Sequence, residues 1–388
     1  MNLEYYNTPA PESLQVQLLP KELPAFLSYR PDFALLEELQ KEYAQYKKIV
    51  VIGHGGSITS FLGMYTSLCA HSGVEVFFLN TVDADYIASV RSATTPQDTL
   101  VLAVSKSGET ITLFEVLSQF ADYPLVCLTE AGSPLAQAAE KLGARVVAHP
   151  AIGGRFTGVT EVGLLPAVLC GVDVATVFAG AAELYKQFQK DNLAWKAASI
   201  LWQLEQKGFV DVFLPVYSRG LYGLAQLFVQ LCHESYGKEG RGQTFLASEA
   251  PESQHHTNQR FFGGRKNMCG FFVTTEATSE SVVRYPASLH SIPVHGRHLA
   301  DMNGLSLKQA MQAEWQGTLD DARLKNMPVL HLSTAVVDAR NVGRQIAFWQ
   351  LVAVYGALLR GVDPFTQPQV ESSKLLSVTK RLSLLGLA

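Results

Sequence analysis

The stretch Asp98-Thr-Leu-Val-Leu-Ala-Val-Ser-Lys-Ser-Gly-Glu-Thr110 sets the pattern for the whole chain. Its apolar run, residues 100–104, is too short for a stable helix and suits a strand buried on both faces. Residues 105–110 then supply three hydroxyls, an ammonium and a glycine, and helical spacing resumes at Ile111. Because the first turn of a helix has unpaired N–H groups and a partial positive charge, this order predicts a phosphate seat. The alternative is an ordinary strand-to-helix connection with a serine cap.

A similar strand, turn and helix precede this stretch. Residues 48–52 form an apolar run, Gly53-His-Gly-Gly-Ser57 supplies a turn, and a helical pattern continues to Leu68. Strands alternating with helices at such spacing predict an α/β fold with a parallel sheet covered on both faces. Ligands of such sheets bind at the carboxyl ends of the strands, near the point where the strand order reverses. Both polar turns lie at that edge. The remaining predicted strands are 74–79, 125–128, 145–148, 210–216, 270–275 and 329–332.

The second half of the chain repeats this plan, although similarity at this level also arises by chance among α/β units. The second copy lacks the clustered serines, so we expect one half to hold an anion and the other to supply different chemistry. The predicted architecture is two doubly wound, flavodoxin-like parallel-sheet subdomains with a C-terminal helical tail. The predicted segments are a leader packing on the body over 1–46, the subdomains at 47–190 and 191–345, and the tail at 346–388.

Composition excludes several classes of protein. With 388 residues, 47% hydrophobic and 17% charged, the chain has the composition of a globular protein, and its net charge of −4 gives no general attraction to nucleic acid or an anionic membrane. Five cysteines, widely spaced in apolar sequence, indicate buried reduced thiols in a cytoplasmic protein. The N-terminal residues show no secretory signal. The apolar run 162–184 is interrupted by a proline and two acidic residues, which favours buried helices over a membrane span.

Two charged residues are candidates for chemistry. Arg155 follows two glycines just after a predicted strand, where its fork can reach a bound anion, although an exposed loop arginine is the commoner case. Glu234 ends an otherwise apolar helix that begins at Leu221. A carboxylate there is partly removed from water, which suits a general base, and the alternative is a surface pair with Lys238.

The adjacent pair His255-His256 lies in a polar segment without the spaced Cys, His or Asp partners of a zinc site. A proton donor is therefore the better functional interpretation of one of the two. Lys374, near the C-terminus, is predicted from composition alone to be a surface lysine. The residues by themselves support a phosphorylated small-molecule ligand.

Taken together, the sequence resembles the phosphoglucose isomerase family of the sugar-isomerase superfamily, in order and spacing over almost the whole chain. The matching segments are Gly-Gly-Ser57, Ser105-Lys-Ser-Gly-Glu-Thr110, Gly-Gly-Arg155-Phe, Glu234-Ser-Tyr-Gly-Lys238, Gln254-His255, and Gln367 through Lys374. The sequence departs from the family at His54, where a small or aliphatic residue is usual, and around Lys374, where the tryptophan and glycines of longer members are replaced. The chain is also much shorter than the long form, which fits a short bacterial type or the isomerase part of a fused protein.

The resemblance implies interconversion of glucose 6-phosphate and fructose 6-phosphate through a cis-enediol, without metal or cofactor. Glu234 is implied as the base, and Arg155 as the group that stabilises the enediolate. His255 and Lys374 are implied to assist ring opening, and Gln230 and Gln367 to orient hydroxyls. The implied substrate-binding residues around the phosphate are Gly56, Ser57, Ser105, Lys106, Ser107 and Thr110.

The family also implies a homodimer in which the histidine comes from the neighbouring subunit. Two alternatives stay open at this point. One is an isomerase that also accepts mannose 6-phosphate. The other is a sugar-phosphate sensor that has lost catalysis, which predicts a DNA-binding or partner-binding appendage and no retained base. No such appendage is evident, and the residues implied in catalysis are all present.

Overall fold

Two parallel sheets, one in each half of the chain, form the frame of the protein. The computed structural model describes residues 1–69 and 72–387. The strands are β1 (Asn2–Tyr6), β2 (Lys48–Gly53), β3 (Glu75–Leu79), β4 (Thr99–Val104), β5 (Leu125–Thr129), β6 (Arg145–Ala148), β7 (Asp211–Tyr217), β8 (Thr244–Glu249), β9 (Met268–Thr275), β10 (Pro293–Val294), β11 (Arg297–His298) and β12 (Val329–Thr334). The helices are α1 (Ala25–Ser28), α2 (Phe33–Glu42), α3 (Gly56–Leu68), α4 (Ala84–Ala93), α5 (Ile111–Leu117), α6 (Pro134–Lys141), α7 (Glu161–Leu169), α8 (Val174–Tyr185), α9 (Leu193–Gln206), α10 (Arg219–Tyr222), α11 (Ala225–Tyr236), α12 (Thr257–Gly263), α13 (Leu307–Leu324), α14 (Ala339–Arg360) and α15 (Glu371–Leu384).

The first sheet has the order β3-β2-β4-β5-β6, with all pairs parallel. Every residue of β4 is buried, because its alternate side chains enter two separate apolar cores on the two faces. The strand order reverses between β2 and β4, and Gly53 is in register with Val104. The turns after these two strands therefore start side by side, where doubly wound sheets bind ligands.

The second sheet has the order β8-β7-β9-β12-β1. Its first four strands are parallel and repeat the arrangement of the first sheet, with the reversal between β7 and β9. The predicted two parallel-sheet subdomains are thus confirmed. The fifth strand comes from the predicted leader, since residues 2–6 pair antiparallel with β12 and bury Leu3. The start of the leader thus belongs to the second sheet, whereas α2, also in the leader, packs against α7 of the first half.

α14 runs through the middle of the protein. By length and composition it is the one helix in 1–69 and 72–387 that could cross a membrane, but 83% of its apolar window is buried inside the fold. It packs against α8, α9 and α11 and ends at Gly361, which has the left-handed conformation that favours glycine (φ +67°). The boundary predicted between residues 345 and 346 falls inside this helix.

The helix predicted to start at Leu221 is divided. It forms α10 and α11, separated near Gly223, where an added Cβ would lie 2.4 Å from the Cβ of Thr66 in α3. This close approach of the two halves is the physical reason for the break. The run 162–184 forms α7 and α8, which are largely buried as predicted. The five cysteines are free and buried.

Candidate active site

Two glycine turns meet where the halves of the chain join. An added Cβ on Gly56, at the start of α3, would lie 2.1 Å from the carbonyl carbon of Gly154 and 2.3 Å from the amide nitrogen of Arg155. A side chain at position 56 would keep these backbones apart, so the two turns can approach each other only because this position is glycine. Residues 154–156 form one turn of 3-10 helix, which directs Arg155 toward α11.

Arg155 is buried, with only 2% of its side chain exposed. Its Nε donates to Ser235 Oγ at 2.9 Å, and its Nη1 lies 3.0 Å from Glu234 Oε2. Nη1 also donates to Gln367 Oε1 at 2.9 Å, and Nη2 donates to the carbonyl of Pro364 at 2.5 Å. Burial lowers the pKa of Arg155, while Glu234 acts in the opposite direction. The planar guanidinium thus joins the first half of the chain, α11 and the segment after α14.

Glu234 lies in the last turn of α11, as predicted, with 31% of its side chain exposed. Its second oxygen accepts from Gln230 Nε2 at 3.0 Å, one helical turn earlier. Gln230 Oε1 in turn accepts from Thr59 Oγ1 at 3.0 Å. The carboxylate is therefore oriented by donors on both oxygens and still reaches solvent, an arrangement that can take up and return a proton.

Lys238 is not the partner of Glu234, contrary to the surface-pair alternative. It is buried, and its ammonium donates to the carbonyls of Asp363 and Thr366. Burial lowers the pKa of Lys238 below its usual value, and neighbouring Arg155 adds to the effect. The lysine fixes the segment after α14, which presents Gln367 to Arg155.

The serine-rich turn after β4 closes on itself. Ser105 Oγ accepts from the amide of Gly108 at 3.2 Å and lies 3.1 Å from Thr110 Oγ1. Gly108 has φ +64°, and an added Cβ would lie 2.5 Å from Ser133 Oγ. Both the backbone conformation and the lack of space therefore require glycine at this position. Lys106 is half-exposed and lies 3.7 Å from Glu130, a weak surface pair. The turn precedes α5 and offers hydroxyls and amides to an anion.

His54 connects the two turns of the first sheet. Its Nε2 lies 2.8 Å from Thr112 Oγ1 at the start of α5. Burial lowers the pKa of His54, so the ring is neutral near pH 7 and serves as a hydrogen-bonding group. The adjacent Ser57 lies in the first turn of α3, beside the serine-rich turn.

The other implied catalytic residues, His255 and Lys374, form no hydrogen bond with Glu234 or Arg155 within the described residues. His255 ends a short 3-10 helix after β8, is exposed, and forms no side-chain hydrogen bond with the rest of the described chain. His256 instead caps α12, because its Nδ1 accepts from the amide of Thr257 at 2.7 Å. Lys374 lies on α15, 63% exposed, and pairs with Glu371 at 2.8 Å. Within the described residues, hydrogen bonds join Arg155, Glu234, Gln230 and Gln367 into one cluster, and neither His255 nor Lys374 takes part in it.

Three participants were not predicted. Thr59 orients Gln230, Ser235 holds the Nε of Arg155, and Lys238 anchors residues 363–367. Ser235 and Lys238 lie in the quoted Glu-Ser-Tyr-Gly-Lys segment, so their spacing from Glu234 was a usable signal. Thr59 carried none. Within residues 1–69 and 72–387, no group of three or more His, Cys, Asp or Glu side chains could hold a metal ion.

Known proteins resemble the chain in sequence and in fold. No family model matches the sequence. Curated proteins named glucose-6-phosphate isomerase align with most of it. The one from Limosilactobacillus fermentum is 26% identical over 393 residues, covering 92% of this chain and 84% of its own.

Solved structures extend the likeness to three dimensions. A hypothetical protein from Thermus thermophilus superposes with a TM-score of 0.83 at 28% identity, covering 90% of this chain and 88% of its own. A glucose-6-phosphate isomerase from Chlamydia trachomatis has the same fold, with a TM-score of 0.73 at 20% identity, over 98% of this chain and 82% of its own. The chain is therefore similar in sequence to curated proteins named glucose-6-phosphate isomerase, and it shares the fold of a solved structure of that name.

Proposed function

We propose that this protein is an aldose–ketose isomerase that interconverts glucose 6-phosphate and fructose 6-phosphate. The main support is the environment of Glu234. Its carboxylate is partly buried, and its two oxygens accept hydrogen bonds from Arg155 and Gln230. It lies near the turns at the point where the strand order of the first sheet reverses. The relatives named glucose-6-phosphate isomerase support glucose 6-phosphate as one of the two sugars. A sugar phosphate is the class of substrate that suits a serine-rich turn beside a base.

The phosphate is proposed to bind the turn containing Ser105, Ser107 and Thr110, with Ser57 and Gly56 on the adjacent turn and Lys106 at its edge. Hydroxyls and helix-start amides are suited to phosphate oxygens. This anchoring fixes the distance from the phosphate to the reacting carbons, and so makes proton transfer an intramolecular event.

Proton transfer is assigned to Glu234. In the forward direction its carboxylate takes the proton from C2 of the open-chain aldose, and the electron pair forms the C1–C2 double bond of the enediol. The π electrons of the C1 carbonyl move to O1, which takes up a proton to complete the enediol. The protonated side chain then delivers its proton to C1, O2 gives up a proton that replaces the one taken up by O1, and C2 becomes the ketone. Arg155 stabilises the negative charge that develops on the oxygens, and it is already paired and fixed before substrate arrives.

The test is Glu234→Gln, which keeps the shape of the side chain and removes its basicity. We expect turnover of fructose 6-phosphate to fall by about 10³-fold, within the range of a general base, while substrate affinity stays within about tenfold. Glu239→Gln is the matched control, since Glu239 is exposed and five residues away. Turnover that survives Glu234→Gln assigns the proton transfer to another residue.

We also propose a homodimer with shared sites. His255 is exposed without a side-chain partner in the described chain, and Lys374 lies on α15, which has no buried residue. Leu375 and Leu376 on this helix are 69% and 63% exposed. Because adjacent exposed leucines on one helix favour association with another protein surface, we propose that a second subunit covers α15 and contributes its His255. Because His256 is occupied in capping α12, His255 is the proposed proton donor for ring opening.

Mixing inactive subunits tests this arrangement. His255→Ala and Glu234→Gln proteins, each inactive alone, should regain part of the wild-type activity after subunit exchange, because one hybrid site is intact. Exchange is monitored with two fluorophores. Complete exchange without recovered activity places His255 in the same subunit's site and overturns the proposal. A cytoplasmic location is proposed as well, supported by the five free, buried cysteines.

A further inference from the structure

A second polar pocket lies at the carboxyl edge of the second sheet. The cavity has a volume of about 900 Å³ and is lined by residues from the ends of β7, β9 and β12, by the segment after β9 and by α13. Its position corresponds to the phosphate turn of the first sheet, because both lie where the strand order reverses. Doubly wound sheets bind ligands at this point, yet nothing in the proposed isomerase mechanism uses it.

Hydroxyl groups dominate the polar part of the lining. They include Ser218, Thr274, Thr275, Thr278, Ser333 and Thr334. The hydroxyl of Thr275, which lines the pocket, is buried and has no partner within the described residues. A buried polar atom without a partner needs an explanation, and a bound ligand or water would supply one.

The two cationic side chains that line the pocket, Lys308 and Arg219, each have a carboxylate partner, and Glu4 adds a further negative charge to the lining. Lys308 Nζ lies 2.8 Å from Glu276 Oε2, and Arg219 Nη1 lies 2.5 Å from Glu249 Oε2. Each cation already has a carboxylate partner, so the pocket lacks the free positive charge that a phosphate needs. A neutral ligand fits this balance better than an anion.

An apolar wall faces the hydroxyls. Met311 and Trp315 lie one turn apart on α13, and the Trp315 ring packs on His331 with centroids 4.8 Å apart. His331 is itself fixed by Thr274 Oγ1, 2.8 Å from its Nε2. A flat aromatic surface opposite hydroxyl donors and acceptors matches a ring that is apolar on one face and carries hydroxyls at its rim.

We propose that this cavity binds an unphosphorylated sugar, with Trp315 as the stacking surface and Thr275 as a hydrogen-bonding residue. The site is separate from the one assigned to the sugar phosphate, and it does not depend on the isomerase activity being correct. The phosphate turn contacts the first sheet only, whereas this pocket is built from the second.

Binding is measured by saturation-transfer NMR and calorimetry, with D-glucose, D-mannose and D-fructose as probes. We expect at least one probe to bind at millimolar concentration and to remain bound in the presence of excess glucose 6-phosphate. Trp315→Ala should weaken binding at least tenfold. Trp202→Ala is the matched control, because Trp202 is also partly exposed but does not line the pocket.

Thr275→Val separates binding from folding. The hydroxyl it removes has no partner in the described chain, so the thermal midpoint should not fall, while probe affinity should drop several-fold. The proposal is overturned by binding of none of the three probes, by displacement with glucose 6-phosphate, or by equal affinity in Trp315→Ala. It is also overturned if Trp315→Ala dissociates an oligomer, which would make the cavity part of a subunit interface.

Discussion

Because Gly56 lies against Gly154, the addition of a single methyl group at position 56 should strongly reduce activity. In Gly56→Ala the new Cβ would lie 2.1 Å from the Gly154 carbonyl carbon, whereas ordinary contact begins at 3.4 Å. Because both neighbours are backbone atoms, the two turns must separate by roughly 1 Å rather than adjust a rotamer. Arg155 follows Gly154 directly, so its guanidinium moves away from Glu234 or loses its other partners.

A displacement of about 1 Å at a catalytic group reduces turnover by about 100-fold, which corresponds to about 2.7 kcal/mol in the activation free energy. We expect this loss mainly in kcat with a smaller rise in KM, because the serine-rich turn is not displaced, whereas Gly56 and Ser57 at the edge of the proposed phosphate site are. The assay follows formation of glucose 6-phosphate from fructose 6-phosphate, coupled to glucose-6-phosphate dehydrogenase. Thermal unfolding, recorded in parallel, checks that the variant is folded at the assay temperature.

Gly153→Ala is the matched control. An added Cβ there meets only Phe156, at 4.0 Å, and the backbone φ of −63° suits alanine. Its kcat should stay within about twofold of wild type. The reasoning is refuted if Gly56→Ala keeps more than a third of the activity with an unchanged melting temperature, or if Gly153→Ala loses as much.

Two predictions concern stability. Arg360 Nε donates to Glu205 Oε2 at 2.7 Å, and both side chains are nearly buried (1% and 11% exposed). Because Arg360→Met would leave the Glu205 carboxylate buried without its partner, it should lower the free energy of unfolding, measured with urea, by about 3–5 kcal/mol. A decrease of less than about 1 kcal/mol contradicts this pairing. Burial lowers the pKa of His149 in the folded protein, so below pH about 6.5 the unfolded chain binds more protons than the folded one. The contribution of neutral His149 to folding stability is therefore fully present above that pH and is lost as the pH falls. His149→Gln should therefore reduce the loss of unfolding free energy between pH 7.5 and 5.5, measured with urea, and an unchanged pH dependence contradicts this assignment.

Most strands and turns of the two sheets were predictable because their signals are local. The aliphatic run before Ser105 and the polar residues after it define a strand and a turn within ten residues of sequence. β2 and β5 are marked in the same way, and these three strands start and end within one residue of the predicted ones. Glu234 was likewise found from its own neighbourhood, at the end of an apolar helix.

What could not be predicted depends on contacts distant in sequence. The division of the helix near Gly223 follows from packing against Thr66, and β1 joins a strand more than 300 residues away. The partners of Arg155 were hidden for the same reason, since backbone carbonyls of any residue type can accept a hydrogen bond. The pocket near Trp315 is assembled from five separate segments, none of which has an unusual composition.

The partners of Arg155 also bear on the order in which the protein is made. The carbonyl of Pro364 lies 209 residues after the arginine in the sequence, and Gln367 lies 212 residues after it. Until these last residues leave the ribosome, Arg155 can reach Glu234 and Ser235 but lacks the acceptors at Pro364 and Gln367, so part of its guanidinium stays hydrated. Catalytic competence is therefore one of the last properties that the nascent chain acquires, and products truncated before residue 364 should retain the first sheet without isomerase activity.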